Sequence, residues 1–249
     1  MRELDNSLEI AQSLGLTSEQ LIEMPDDELI KLMKSKPAYQ AIVNDELIMA
    51  IIRGDAKYVE FMLTSEVLNI NANPDNSGTP LMHAIANEEH DVVRALLKDP
   101  RIDVNAETND DGLTALMLAA GCNDVKSIKA LLGNKKIDVN RQDCLGRTAL
   151  MYLALQEPLS TDWKEEDSIE AAKILLEDER VNADIRNNDG LSAEDMAARH
   201  GFVRIKEFFK TARLNAVKQP SSACDSGCIN AARAVCGKAD KPAKRANCI

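Results

Sequence analysis

TPLMHAIANEEHDVVRALL at residues 79–97 and TALMLAAGCNDVKSIKALL at residues 114–132 are the stretches on which the fold turns. Each opens with threonine, carries leucine and alanine at helical spacing, and closes on Leu-Leu; the two start 35 residues apart. TALMYLA at 148–154, running on to ILL at 174–176, starts 34 residues later, and SAEDMAA at 192–198, reaching Phe208 and Phe209, starts 44 after that. In the other direction DELIMAIIRGDAKYVEFML at 45–63 keeps the same 19-residue span and begins 34 residues before Thr79. Self-similarity at a fixed period marks a stack of repeats, because one unit cannot bury its apolar face alone but a neighbour can cover it.

The linkers rhyme as well: INANPDNSG (70–78), IDVNAETNDDG (102–112), IDVNRQDCLG (137–146) and VNADIRNNDG (181–190). Each ends in Asn or Asp followed closely by Gly, the chemistry of a tight turn with positive φ. Every unit therefore reads as turn, short helix, short helix and a long turn back. Thr79, Thr114, Thr148 and Ser192 stand where a hydroxyl caps the first helix, and Ser192 with Asp195 predicts a capping box. Leu81, Leu116 and Leu150 then point inward, Ala84 and Ala119 let first helices approach, and Leu96, Leu97, Leu131, Leu132, Leu175 and Leu176 form a second seam.

T-[PA]-L-x-x-A at a period near 34, followed by Leu-Leu and an Ile-Asp-Val-Asn turn, resembles the ankyrin repeat over about residues 45–212. The usual histidine of that motif is Met82, Met117 and Met151 here, and the usual mid-unit glycine stands only at Gly54 and Gly201. The resemblance implies an all-α solenoid of stacked helix–turn–helix units with short hairpin fingers. It also implies a protein-binding face made of turn tips and the exposed side of the first helices. By position, that face comprises Asn76, Ser77, Asp110, Asp111, Leu113, Leu145, Arg147, Asn188 and Asp189 at the tips, with Asn87, Cys122, Gln156 and His200 on the helices. The tips are mostly acidic or neutral, which suits a basic or polar partner.

Three parts are expected: a helical N-terminal cap over residues 1–44, repeats over 45–212 with units starting near 45, 79, 114, 148 and 192, and a flexible tail over 213–249. The cap helices, one of them starting at PDDE (25–28), should cover the open edge of the first repeat, while Arg199, Arg204, Lys206 and Glu207 give the last unit a solvent-facing side. LIEMPDDELIKLM (21–33) also resembles the start of an F-box, the helical module that docks ubiquitin-ligase scaffolds. Between the helices of the third full unit lies an insertion, 157–167, holding Trp163, the one tryptophan. On a loop this side chain is either a binding hot spot or a cover for the edge of its helix pair.

Charge and composition narrow the function. The chain's 249 residues hold 41 acidic and 30 basic side chains for a net charge of -11, with only 3% aromatics, so an all-β fold and a nucleic-acid reader are both disfavoured. Residues 1–217 carry -15 and residues 218–249 carry +4, and the tail also holds Cys224, Cys228, Cys236 and Cys248. C-x3-C has no second knuckle for zinc, so the readings left are lipidation beside Lys241, Lys244 and Arg245, a disulfide, or a bland mobile tail. Membrane contact would then depend on acylation.

His83, His90 and His200 fall in three separate places, with no nucleophile elbow, phosphate loop or zinc motif. The chain is thus expected to be a non-enzymatic, monomeric scaffold for a protein partner, with no cofactor, no metal and no nucleic acid, cytoplasmic and without a cleaved signal peptide. The alternative is a secreted host-targeting effector or adaptor of the bacterial type, delivering its target through an F-box-like segment or an acylated tail.

Overall fold

The computed structural model describes residues 14–17, 20, 24–73, 78–155 and 165–218. Its helices are α1 (Asp26–Ser35), α2 (Pro37–Ile52), α3 (Ala56–Leu63), α4 (Pro80–Ala86), α5 (His90–Lys98), α6 (Ala115–Gly121), α7 (Val125–Leu132), α8 (Ala149–Tyr152), α9 (Glu165–Glu177), α10 (Ala193–Arg199) and α11 (Val203–Lys218). Among the described residues there is no strand, only an isolated antiparallel bridge between Glu107 and Thr114 at a finger.

Two rows of helices build the stack. Helices α2, α4, α6, α8 and α10 pack on one another in that order, and α3, α5, α7, α9 and α11 do the same behind them. Small residues permit this: Ala84, Ala119 and Ala154 are wholly buried where first helices meet. Leu81, Leu116 and Leu150 point into the core as expected, with Leu96, Leu131 and Leu175 opposite them, while Leu97, Leu132 and Leu176 are only partly buried at its margin.

Caps start the first helices as the sequence predicts, with one exception. The hydroxyls of Thr79 and Thr114 accept from Met82 N (3.4 Å) and Met117 N (3.3 Å), and Ser192 and Asp195 form a full capping box. The Ser192 amide and hydroxyl, with Arg186 behind them, hold the Asp195 carboxyl below the usual carboxylate range. Thr148 makes no side-chain cap bond. Helix α8 is a single turn, and the Met151 amide is already taken by the Thr148 carbonyl at 3.0 Å.

Asparagine side chains clip each unit to the next. Asn71 donates to Arg101 O (2.9 Å) and accepts from Asp103 N (2.8 Å); Asn105 does the same with Lys136 O (2.9 Å) and Asp138 N (2.7 Å), and Asn140 with Arg180 O (2.7 Å) and Asn182 N (2.8 Å). This ladder corrects the register of the first linker. Asn71 is the partner of Asn105 and Asn140, so the turn begins at Leu68, not at Ile70. The last linker has Asp184 at this position, and among the described residues no further linker stacks on it. Arg101 adds a second tie, donating to the Leu63 and Ser65 carbonyls at 2.7 and 2.8 Å while Asp99 holds its guanidinium. Arg180 repeats this with Leu132 O and Asp178. The hydrogen bonds from Arg101 and Arg180 lower the Asp99 and Asp178 pKa, so these ties support the fold above the ordinary carboxylate range and fade as pH falls through the lowered values.

Helices run across both of the expected outer boundaries. Pro37 at the first turn sets the start of α2, which runs unbroken through residues 44 and 45, and α11 runs through residue 213 to Lys218. Helix α1 does pack on α2, yet Ile42, Met49, Ile52, Tyr58 and the 69%-exposed Phe61 stay open on the first pair, so α1 covers only part of that edge. At the other end Arg199, Arg204 and Glu207 are exposed as expected, and Lys206 is half-buried.

Mid-unit turns repeat one backbone conformation with different residues. Gly54 and Gly201 have φ of +67° and +78°, and Glu88 and Asn123 stand in the same place at +56° and +54°. A left-handed non-glycine residue is strained by about 1–2 kcal/mol, less the roughly 0.5–1 kcal/mol of extra unfolded-chain entropy that glycine brings. Glu88→Gly should therefore raise stability by about 0.5–1 kcal/mol in urea unfolding; a lower midpoint would refute the strain.

Candidate protein-binding face

Fingers project between units, and local hydrogen bonds shape them. Asp143 organises the third: its Oδ1 accepts from Leu145 N (3.0 Å) and Arg147 N (2.7 Å), and its Oδ2 from Arg147 Nε (2.6 Å) and the Tyr152 hydroxyl (2.8 Å). Arg147 also donates to Tyr152 Oη at 2.9 Å and lies over its ring, 4.8 Å from the centroid. The carboxylate is fully buried, with side-chain exposure of 0%. Burial first, and then the hydrogen bond to Asp143, raise the Tyr152 pKa, so the phenol stays protonated as a donor. At the same finger position the second unit has Thr108 and the fourth Asn187, each bonding the amide of the leucine that precedes the next helix.

Neighbouring fingers are tied by main chain. Cys144 N donates to Asp111 O (2.9 Å), and Asn188 N donates to Leu145 O (3.0 Å) while its side chain donates to Cys144 O (2.9 Å). Between the third and fourth fingers this leaves a cleft of about 170 Å³. Leu145 and Arg147 form one wall, Asn187, Asn188 and Asp189 the other, and Leu155, Leu191 and Met196 the apolar lining, with Arg199 and His200 at the end. Arg199 faces Asp189 at 3.9 Å.

The structure thus brings together five of the sequence-predicted residues, Leu145, Arg147, Asn188, Asp189 and His200, in one cleft. Asp110 and Asp111 stand exposed on the second finger. Four of the predicted residues also serve the fold. Leu113 packs on the core and pairs with Thr108. Arg147 is held by the buried Asp143. Cys122 caps α6, and burial, with the charges of Asp124 and Glu88 behind it, raises its thiol pKa. Asn87 caps α4, its amide on His83 O at 2.8 Å. Asn76, Ser77, Gln156, Trp163 with nearly all of its insertion, and the tail residues Cys224, Cys228, Cys236 and Cys248 lie outside the described residues.

Sequence reasoning missed Asp143, Tyr152, Leu155, Leu191 and Met196. Asp143 and Arg147 had a signal in their four-residue spacing; the cleft residues had none, since they meet only across two units. Of the three histidines, His90 reaches Asp124 of the next unit at 2.9 Å, His200 stacks on Phe202, and burial lowers the His83 pKa. No group of three or more His, Cys, Asp or Glu side chains able to hold a metal occurs among the described residues, and no helix there is long and apolar enough to cross a membrane.

A family model described as "Ankyrin repeats (3 copies)" matches residues 25–108 and 101–161. The chain is also similar to the nuclear factor NF-kappa-B p105 subunit of Gallus gallus, 29% identical over 167 residues. That alignment covers 66% of this chain but only 16% of the relative's length.

Proposed function

Since the chain belongs to the ankyrin-repeat family and its repeats make it a protein–protein interaction scaffold, we propose that it holds its partner on the side formed by the first helices and the fingers, without catalysing a reaction. The observation that carries this reading is the cleft between the third and fourth fingers, flanked by the acidic tips Asp110, Asp111 and Asp189. Rigid walls tied by backbone hydrogen bonds lose little entropy when a partner arrives. A net negative row of tips attracts a basic or polar surface. Trp163 and the insertion at 157–167 are assigned to the same partner, because a lone tryptophan in a polar insertion offers much apolar area for few frozen torsions.

Affinity capture followed by mass spectrometry, run in parallel on the natural chain and on variants, tests the proposal. Proteins held by the natural chain should be lost from a Leu145→Asp, Asp189→Lys variant, retained by Lys98→Glu on the second-helix side, and weakened by deleting 157–167. Capture that ignores the finger substitutions would overturn the assignment of the face.

A further inference from the structure

We propose that the cleft between the third and fourth fingers receives one uncharged apolar side chain of an extended partner segment, and that a basic residue about three positions away meets the acidic second finger. This rests on the binding face proposed above and names what that face selects. Volume decides the size of the occupant. Sites for cofactors and drug-sized ligands run to about 300–1,000 Å³, whereas this cleft offers about 170 Å³, room for a single side chain.

Its chemistry decides the character. Leu155, Leu191 and Met196 supply an apolar lining, and Leu145, 46% exposed, is an apolar side chain at a finger tip where the second and fourth fingers carry aspartate. The cations at the mouth are already engaged, Arg147 with buried Asp143 and Arg199 facing Asp189. A charged occupant would give up its water for contact with Leu155, Leu191 and Met196, which disfavours it. An aliphatic or aromatic side chain gains from the same desolvation.

The neighbouring finger sets the spacing. Asp110 and Asp111 are exposed one unit away, and the Cys144 N to Asp111 O bond fixes that finger against the one bearing Leu145. Packed helices stand roughly 8–10 Å apart, and an extended chain rises about 3.3 Å per residue. Three residues therefore step from the cleft to the acidic tip, where lysine or arginine finds opposite charge.

The probe is a synthetic peptide, acetyl-Lys-Ala-Ala-Leu-Ala-Ala-Lys-amide, with lysine three places from leucine on either side so that chain direction does not matter. It is titrated into the full chain and followed by NMR. Expected are shifts centred on the methyls of Leu145, Leu191 and Met196 and the Asn188 amide. Replacing the peptide's leucine by asparagine should weaken binding at least tenfold, replacing its lysines by glutamate should weaken it further, and Asp110→Asn with Asp111→Asn should remove most of the lysine dependence. Equal binding of the leucine and asparagine peptides, shifts centred on Tyr58 and Phe61 instead, or no binding at millimolar peptide would each overturn the inference. If that happens while partner capture still depends on Leu145 and Asp189, the side-chain receptor falls and the wider binding face stands.

Discussion

Asp143→Ala is expected to destabilise the protein by about 3–5 kcal/mol, the range found when one partner of a buried ion pair is removed. The carboxylate has no solvent contact and accepts four hydrogen bonds, from two backbone amides, the Arg147 guanidinium and the Tyr152 hydroxyl. Its loss leaves a half-buried guanidinium with no counter-charge and two finger amides without their acceptor. Against a total stability of roughly 5–15 kcal/mol for a domain, that is enough to open the third finger on its own. Urea unfolding should show a lower midpoint, and hydrogen exchange should show the Leu145 and Arg147 amides losing protection first. Asp143→Asn, which keeps the shape but not the charge, should fall between the two. A loss under about 1 kcal/mol for the alanine variant would mean that the network does not hold the finger.

Gly146→Ala should be nearly as damaging, for a different reason. Glycine 146 has φ of +75°, and a Cβ there would lie 2.7 Å from Asn188 Oδ1, 2.8 Å from Asn188 N and 3.0 Å from Asn187 Cα. Two of those atoms are backbone of the next finger and cannot swing aside. Left-handed strain of about 1–2 kcal/mol adds to an overpacking cost of roughly 1–3 kcal/mol, for a total near 2–5 kcal/mol. Gly190→Ala is the control, with φ of +77° but no atom within 4 Å of the added carbon, so it carries the strain alone. Urea midpoints for the pair should separate by more than the strain itself, and the Asn188 amide should lose exchange protection only in Gly146→Ala. Equal effects would show that the fingers are not in contact.

Repeat period, inward leucines, the caps at Thr79, Thr114 and Ser192 and the choice of fold were all legible in the chain, because they depend on residues within one unit. Leu81 or Leu116 must face a core at helical spacing whatever its neighbours are, and a hydroxyl before a helix finds its amide three residues on. What the sequence alone left undecided lies between units. Leu68 and Ile70 are equally apolar and two residues apart, so only the Asn71 clip to Arg101 and Asp103 settles the register of the first linker. Arg147 reads as a free cation at a turn tip until the fold buries Asp143 beneath it. The same holds for the candidate site. Leu145, Asn188 and His200 lie up to 55 residues apart in the chain, and stacking, which buries what a single unit cannot, places them around one cleft.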